Sequence, residues 1–272
     1  MGPQSMAQAM ASNAGNRWAE RTYEAMAPVY DDFTAHHEYE LWTADLIEIL
    51  ERNGLSGRRL LDVGCGTGKS FLEMLRRGWQ VTACDLSPSM LEIAREKAGD
   101  EVTLAVADMR ELPVFGEFDL VWALDDAVNY LVDGDELRAA LAGMGANLAP
   151  DGLLLFDLNS LLAYRTFFAE TEVVERNGRR LVWTGLADAD VEPGSICESR
   201  LEVQLPDGSP APGVETLFHH QRHFPEAEVL AAFADAGLEC VEVYGLDVDG
   251  EPRRPLEESV HKKALYVARR AG

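Results

Sequence analysis

Apolar and polar positions alternate with a helical period near the start of the chain and then give way to short apolar runs. Residues 18–27, which end before Pro28, and residues 38–52 each place their apolar side chains on one stripe, as amphipathic helices do. After Gly57 the period changes, because the apolar run 59–63 leads into a glycine-rich turn and a helical segment. The pattern predicts two helices followed by a strand, a turn and a helix.

The strand-and-helix unit recurs up to about residue 157. We expect strands at 80–84, 102–106, 118–123 and 153–156, and helices at 69–77, 88–98 and 135–148. The fourth of these strands follows a turn that we predict at residues 150–152, where the sequence reads Pro-Asp-Gly. Strands that alternate with helices form parallel sheets, so the sequence predicts an α/β fold with helices on both faces of the sheet.

The alternation stops near residue 163. Four successive strands without intervening helices are predicted next, at 172–175, 180–186, 196–205 and 215–224, and they indicate an antiparallel β lid. A helix at 226–236 and strands at 239–244 and 261–268 then return to the main sheet. We therefore expect one main domain formed by residues 17–162 and 225–272, a lid at 163–224, and a disordered N-terminus or tag at 1–16.

The composition of the chain argues against several classes of binding partner. Of 272 residues, 24 are Lys or Arg and 47 are Asp or Glu, which gives a formal net charge of −23. Neutralising phosphates requires positive charge, so we expect no nucleic acid partner, and no apolar run approaches the ~20 residues of a membrane span. The four cysteines lack C-x-x-C spacing, which argues against a metal centre and a disulfide framework and favours the cytoplasm.

The glycine-rich turn Gly64-Cys65-Gly66-Thr67-Gly68 lies between a predicted strand and a predicted helix. Such a turn lets the backbone approach a ligand closely and marks a nucleotide-type site. The dinucleotide fingerprint G-x-G-x-x-G fails in both registers, because Lys69 or Phe71 stands at its third glycine. The phosphate-binding P-loop fails as well, because its first glycine falls on Val63.

The segment from Leu60 to Gly68 resembles motif I of the class I S-adenosylmethionine-dependent methyltransferases. Three later segments resemble further motifs of that family in the same order, namely 83–91, 107–109 and 118–121. The resemblance implies a Rossmann-like, seven-stranded sheet whose last strand is antiparallel, with the antiparallel β lid inserted after strand five. It also implies that S-adenosyl-L-methionine is the cofactor.

The same resemblance implies roles for individual residues. Asp62 faces the methionine end of the cofactor, Gly64 and Gly66 line its backbone, Asp85 holds the ribose, and Asp108 with the Met109 amide reads the adenine. Five further residues are expected around the cofactor, namely Cys65, Gly68, Leu86, Met90 and Leu124. Tyr23 and Tyr30 of the leading helices are expected to close over it, although simple core packing explains them equally well.

The methyl acceptor is expected at the carboxyl ends of strands one and four, because methyl transfer requires the nucleophile to lie next to the methyl group. Asp125, Asp126, Asn129 and Tyr130 leave strand four at that edge. We expect Asp126 to act catalytically and the other three to contact the substrate, while helix capping by the two acids and helix packing by the other two remain open alternatives.

The lid is expected to form the other wall of the acceptor site. Alternation along residues 218–224 places Phe218, His220 and Arg222 on one face, which we expect to point inward together with Trp183. His220 would then serve as a general base, because imidazole titrates near neutral pH, and a surface strand is the alternative.

The whole layout resembles small-molecule methyltransferases with a β-sheet lid, among them the deoxysugar amine N,N-dimethyltransferases, which share an early Tyr-Asp-x-Phe, here residues 30–33. This resemblance implies methyl transfer to nitrogen or oxygen of a small metabolite, and an amine-bearing sugar or natural-product intermediate fits it. A homodimer is compatible with the sequence. The alternatives are an NAD(P)-dependent oxidoreductase and a non-catalytic protein that binds S-adenosylmethionine.

Overall fold

A computed structural model describes residues 17–37, 39–211, 216–247 and 250–272. The helices are α1 (Arg17–Phe33), α2 (Tyr39–Arg52), α3 (Lys69–Arg76), α4 (Pro88–Ala98), α5 (Gly134–Ala146), α6 (Leu161–Arg165) and α7 (Glu226–Asp235). The strands are β1 (Arg59–Val63), β2 (Gln80–Asp85), β3 (Val102–Val106), β4 (Phe118–Ala123), β5 (Leu148–Asn159), β6 (Thr171–Arg176), β7 (Arg179–Gly185), β8 (Ile196–Gln204), β9 (Leu217–Arg222), β10 (Leu238–Leu246), β11 (Pro252–Arg253) and β12 (Lys263–Arg270). In this part of the chain, no helix is both long and apolar enough to cross a membrane.

The main sheet has the strand order β11-β10-β12-β5-β4-β1-β2-β3. Strands β1 to β5 run parallel, whereas β12 lies antiparallel between β5 and β10. The predicted Rossmann-like sheet with an antiparallel last strand is therefore confirmed. The sequence analysis missed β11, a two-residue strand at one edge that pairs with β10.

Helices cover both faces of this sheet and form two apolar layers. On one face α5 and α7 pack their buried side chains against β4 and β5, and Phe156 and Phe233 lie at the centre of that layer. On the other face α2, α3 and α4 pack around Trp122 and Leu60, which are completely buried. Burial on both faces explains why the central strands are continuous apolar runs rather than alternating ones.

The strands β6, β7, β8 and β9 form a second, antiparallel sheet in that order, within the range expected for the lid. Its inner face packs against α1, where Met26 and Val29 meet Trp183 and Leu201 in a separate apolar cluster. Thr22 of α1 also donates a hydrogen bond to the backbone carbonyl of Phe218 in β9, at 2.7 Å. The leading helix therefore connects the second sheet to the main one.

Two predicted boundaries are wrong. Helix α1 does not end before Pro28 but continues to Phe33, because Val29 is buried beyond the proline and tertiary packing outweighs one lost backbone hydrogen bond. The turn predicted at residues 150–152 lies inside β5, where the register to β4 shifts as at a bulge. Residues 1–16, Glu38 and Glu215, which three of our predicted segments include, lie outside the described residues.

Candidate active site

The glycine-rich turn after β1 has a backbone that only glycine adopts easily. The φ angles of Gly64, Gly66 and Gly68 are 74°, 53° and 86°, in the left-handed region that side chains disfavour. A Cβ at Gly68 would lie 2.5 Å from the Phe71 ring, and a Cβ at Gly64 would lie 3.2 Å from the Cβ of Ala127. The three glycines therefore shape the turn and keep the space above it open.

A cavity of about 690 Å³, which we call the first cavity, opens above this turn. Nine of the residues expected around the cofactor line it, namely Tyr23, Tyr30, Gly64, Gly66, Asp85, Leu86, Asp108, Met109 and Leu124. The tips of β1, β2 and β4 and the leading helix thus surround one space. A cavity at this location is typical of a ligand site at the carboxyl edge of an open α/β sheet.

Asp85 is the last residue of β2 and is a buried acid in the wall of the first cavity. Its two carboxylate oxygens accept hydrogen bonds from the backbone N–H groups of Gly66 at 2.8 Å and Ser87 at 2.9 Å. Burial raises the pKa of this carboxyl above its ordinary value, although these N–H groups oppose the effect. The backbone therefore fixes an acceptor group whose remaining lone pairs can bind hydroxyl donors.

Asp108 follows β3 and also lines the first cavity. Arg110 donates to it through its Nε at 3.0 Å, and Arg110 is itself held by Glu136 at 2.9 Å. Burial opposes ionisation, but these hydrogen bonds from Arg110 keep the pKa of Asp108 below its ordinary range. The carboxylate is therefore charged and held in one orientation.

A second, larger cavity of about 1310 Å³ lies between α1, the exit of β4 and the inner face of the second sheet. Tyr23, Tyr30, Asp125 and Tyr130 line both cavities and thus form their common wall. The remaining wall is largely aromatic, and in it Trp183 stacks on Phe167 with ring centroids 4.6 Å apart. A molecule in the second cavity would lie directly next to one in the first.

A cluster of three carboxylates and one lysine lies at this common wall. Asp125 and Asp126 have positive φ angles of 62° and 53°, and their N–H groups donate to Asp157 at 2.7 Å and 3.0 Å. Lys263 of β12 donates to Asp126 and to Asp157, at 2.7 Å each. Asp157 therefore shapes the turn through its hydrogen bonds to the backbone, and one ammonium group partly neutralises three acids.

The two adjacent acids differ in protonation behaviour. Burial raises the pKa of Asp126, and the nearby charges of Asp125 and Asp157 add to this effect against the opposing ammonium of Lys263. For Asp125, Lys263 together with His37 at 3.2 Å and Tyr39 at 2.9 Å outweighs burial, so that its pKa is lowered. One acid is therefore set to exchange a proton while its neighbour stays charged.

Known proteins are similar to this chain in sequence and fold. Residues 60–152 match a family model described as a methyltransferase domain. The dTDP-3-amino-3,4,6-trideoxy-alpha-D-glucopyranose N,N-dimethyltransferase of Streptomyces venezuelae is 30% identical over 230 residues, which are 78% of this chain and 89% of that protein. The chain belongs to the class I S-adenosylmethionine-dependent methyltransferases.

Two further similarities extend over most of this methyltransferase. A putative methyltransferase of Bacillus subtilis is 29% identical over 88% of this chain and 96% of its own length. The structure of CalS10, an amino pentose methyltransferase from Micromonospora echinaspora with bound S-adenosylmethionine, superposes with a TM-score of 0.64. That similarity has 26% identity and covers 90% of this chain and 95% of the other. S-adenosylmethionine is thus the cofactor, and the oxidoreductase alternative is not favoured.

Four residues expected at the cofactor do not line the first cavity. Asp62 is buried behind the glycine turn, where it accepts a hydrogen bond from Ser70 at 2.6 Å and burial raises its pKa to about 7. Met90 belongs to the apolar cluster below α1, and the Cys65 thiol is buried next to β2 with a pKa raised by burial. Gly68 is the N-cap residue directly before α3 and contributes through the shape of the turn.

The expected orientation of the β9 face is wrong. His219 and Gln221 are buried and line the second cavity, whereas Phe218 is 42% exposed on the opposite face. His220 packs on Trp18 and lies 3.3 Å from Glu198, and burial lowers its pKa to about 4. Arg222 pairs with Glu228 at 2.7 Å. His220, Phe218 and Arg222 therefore lie outside the cavity, and His220 is not the general base that the sequence suggested.

Asn129 also differs from its expected role at the substrate. Its side chain donates to the carbonyl of Arg222 at 2.8 Å and accepts from the N–H of Asn159 at 2.8 Å, which ties the exit of β4 to the second sheet. Trp183 and Tyr130 line the second cavity as expected. The sequence analysis missed His37, Asp157, His219, Gln221 and Lys263. The strand order implied by the resemblance could have predicted the position of Lys263. It places the last strand, which begins with Lys263, beside strand five.

Proposed function

We propose that this methyltransferase transfers the methyl group of S-adenosylmethionine to an amine nitrogen of a small metabolite bound in the second cavity. The carboxylate pair Asp125 and Asp126 carries this proposal, because it lies where the two cavities meet and consists of one charged acid and one acid with a raised pKa. Amines are cationic at neutral pH and need both an anionic partner and a base before they can react.

The first cavity fits the cofactor. A side chain at Gly64 or Gly66 would occupy part of the space above the turn. At Gly66, for example, a Cβ would already contact the Tyr30 ring at 3.7 Å across this space. We assign the ribose hydroxyls to Asp85, whose lone pairs suit a diol, and the adenine to Asp108 and the Met109 amide. Tyr23 and Tyr30 would cover the site from α1. When bound, S-adenosylmethionine supplies an electrophilic methyl group on a sulfonium.

The wall of the second cavity suits a cation with an apolar body. Phe33 and Phe167 stack on Trp183, with centroid distances of 5.8 Å and 4.6 Å, and form an apolar wall for the body of the acceptor, while Asp125 and Asp126 supply the negative charge. Similarity to an enzyme named for an amino sugar supports an amine acceptor as well. The many carboxylates of the chain, which give it a charge of −23, also attract a cationic acceptor at longer range.

The chemistry requires one proton transfer from the acceptor to the protein. Asp126 takes a proton from the bound ammonium, because its raised pKa brings the carboxylate closer to the basicity that this step needs. The freed nitrogen lone pair would then be the nucleophile for the methyl group that S-adenosylmethionine supplies, with the thioether as the leaving group. Asp125 stays ionised and stabilises the cationic amine before and after transfer.

A screen of small amines tests this proposal. The protein is incubated with S-adenosylmethionine and a library of amino sugars, amino acids and simple cyclic amines, and products are sought by mass spectrometry as additions of one methyl group. Fragmentation of each product then locates the new methyl group. We expect methylation on nitrogen. Products methylated only on oxygen would contradict the amine assignment, and cofactor binding without any product would support a non-catalytic binding protein.

A further inference from the structure

Gln221 is a buried side chain in the wall of the second cavity, and the chemistry proposed above leaves it unused. It lies near the end of β9 and is 1% exposed. Its amide Nε2 donates a hydrogen bond to Oδ2 of Asp126 at 2.6 Å. Among the described residues, this is the second sheet's one hydrogen bond to the side chains of the carboxylate cluster formed by Asp125, Asp126 and Asp157.

The orientation of this amide is fixed from its other end. The Oε1 atom of Gln221 accepts hydrogen bonds from the side-chain amide of Asn159 at 2.9 Å and from the Tyr164 hydroxyl at 3.3 Å. Asn159 ends β5, and its backbone N–H donates to the side chain of Asn129 at 2.8 Å. Because the oxygen of the Gln221 amide is occupied on this side, its N–H donors face Asp126.

Asp126 is held by two partners but still reaches the second cavity. Its side chain is 20% exposed and lines that cavity, while Gln221 contacts Oδ2 and Lys263 contacts Oδ1. Burial and the adjacent acids raise the pKa of Asp126, whereas a hydrogen bond donated to the carboxylate favours the charged form. A base that is already protonated at neutral pH cannot take a proton from an ammonium group. The Gln221 amide therefore opposes an excessive rise in this pKa.

We propose that Gln221 is a positioning residue, whose amide keeps the Asp126 carboxylate charged and in one orientation. Gln221 belongs to the second sheet and Asp126 to the exit of β4, so the base is complete only where the second sheet packs against the main one. The second sheet thus takes part in the proton transfer as well as enclosing the acceptor. This inference rests on the proposed function, in which Asp126 is the base.

An NMR titration tests this role without a substrate. The full chain, isotope-labelled at its aspartate carboxyl carbons and saturated with S-adenosylhomocysteine, is titrated with acid and base, and the signal that is lost in Asp126→Asn identifies Asp126. Gln221→Leu removes the amide at similar volume. It should raise the titration midpoint of Asp126 by about one pH unit, because a hydrogen bond to the charged form is lost.

Two further variants guard against a general effect on folding. Gln221→Glu keeps an oxygen for Asn159 and should also raise the midpoint of Asp126, because two adjacent carboxyl groups disfavour the second charge. Gln204→Leu is the matched control, since it makes the same change in the second sheet at a half-buried residue that lines neither cavity. It should leave the midpoint unchanged. Affinity for S-adenosylhomocysteine reports folding in every variant.

The other charged and titratable groups around Asp126 are unchanged in these variants. His219 of β9 stays neutral, because burial lowers its pKa to about 3. The remaining groups around the carboxylate cluster are Asp125 and Asp157 themselves, Lys263 of β12, His37 after α1, Tyr23 and Tyr30 of α1, Tyr39 of α2, Tyr130, and Tyr164 of α6. A shift of the Asp126 midpoint is therefore assigned to the loss of the amide.

Kinetics with an amine from the screen then tests whether the effect reaches catalysis. Gln221→Leu should lower kcat about tenfold at neutral pH, and this loss should shrink as pH rises and Asp126 becomes charged again. In an Asp126→Asn background the same substitution should change kcat by less than about threefold, because a residue that acts through Asp126 then has nothing to position.

An unchanged Asp126 midpoint in a Gln221 variant that still binds S-adenosylhomocysteine would overturn the inference. So would a loss of kcat that is constant with pH or that persists in full in the Asp126→Asn background, as a merely structural role would produce. Failure of the proposed function is separate, because it is seen as the absence of products methylated on nitrogen in the amine screen. In that case the titration still decides whether Gln221 holds Asp126.

Discussion

The two cavities share a wall but are assembled in opposite ways. Apart from α1, the wall of the first cavity comes from residues 63–131, where each strand is followed at once by the turn that contributes to it. The second cavity joins segments from both ends of the chain, including α1, the exit of β4, strands β6, β7 and β9, and the start of β12. The proposed cofactor site is thus formed by local sequence, whereas the proposed acceptor site depends on the whole tertiary structure.

The two cavities also differ in their electrostatics. Asp85 is held in the first cavity by two backbone N–H groups, which suits a neutral diol. The second cavity presents Asp125 and Asp126 with support from Asp157, and Lys263 is the ammonium group that bridges them. We propose that Asp85 binds hydroxyl donors in the first cavity, and that Asp125 at the common wall and Asp126 in the second cavity bind a positively charged acceptor.

The largest expected effect is on turnover and concerns the second cavity alone. Asp126→Asn removes the proposed base while preserving the shape of the side chain, so kcat should fall by about 10²- to 10⁴-fold with an amine that the wild type methylates. Affinity for S-adenosylhomocysteine should stay unchanged. Asp190→Asn, an exposed acid of the second sheet's connecting loop, serves as the control. A kcat within threefold of wild type would remove Asp126 from catalysis.

The next effect concerns the first cavity and compares two buried acids of the glycine-turn region. Asp85→Ala should weaken S-adenosylhomocysteine binding by about 1–3 kcal/mol, because hydrogen bonds to a charged group are lost. Asp62→Asn should change this affinity by less than about threefold, because Asp62 lies behind the turn and bonds to Ser70. Calorimetry on both variants decides which acid contacts the cofactor. Equal losses of S-adenosylhomocysteine affinity in the two variants would contradict the position of Asp62 outside the first cavity.

A smaller effect should reach both cavities at once, through α1. Glu24 accepts hydrogen bonds from the Ser87 hydroxyl at 2.6 Å and the Ser89 N–H at 3.1 Å, and so fastens α1 to the start of α4. Glu24→Gln should weaken both cofactor and acceptor binding by roughly three- to tenfold, since a charged acceptor becomes neutral. Glu20→Gln, an exposed residue of the same helix, should change neither. An effect on one ligand alone would show that α1 does not serve both cavities.

A pH-dependent change in stability is also expected at Asp62. Its pKa of about 7 in the folded chain exceeds the ordinary value near 3.9, so the folded state binds this proton more tightly than the unfolded state. The Asp62 carboxyl therefore stabilises the folded state most at low pH, and this contribution to stability is lost as pH rises from about 4 to about 7. The melting temperature of Asp62→Asn, measured relative to that of the wild type, should therefore increase as pH rises across this window. Each kcal/mol of stability corresponds to roughly 2–4 °C. A difference in melting temperature between variant and wild type that stays constant from pH 4 to 8 would contradict the raised pKa of Asp62.

Much of the fold and of the first cavity could be predicted from the sequence, because the signals are local. The change from helical spacing to short apolar runs predicted the parallel strands, and the glycines after β1 indicated the ligand site. The resemblance of residues 83–91 to a family motif indicated Asp85, and the structure places it at the end of β2 in the wall of the first cavity. Asp62 shows the limit of this reasoning, since proximity along the chain did not reveal that its side chain lies behind the turn.

The second cavity could not be predicted to the same degree. Alternation along β9 correctly separates His219 from His220, but both faces carry aromatic or polar side chains, so the pattern does not tell which one is buried. Lys263 is 106 residues from Asp157 and meets it only because β12 pairs with β5. Such contacts depend on the order of strands in the sheet and on where the second sheet packs, which no short motif records.

The most direct test of this account is a crystal structure of the protein with S-adenosylhomocysteine. We expect both ribose hydroxyls within hydrogen-bond distance of Asp85, the adenine beside Asp108 and Met109, and the sulfur at the wall formed by Asp125 and Tyr130. The second cavity would then be open next to the sulfur and free to hold the acceptor. A ribose away from Asp85, or a sulfur that points away from the common wall, would contradict the account.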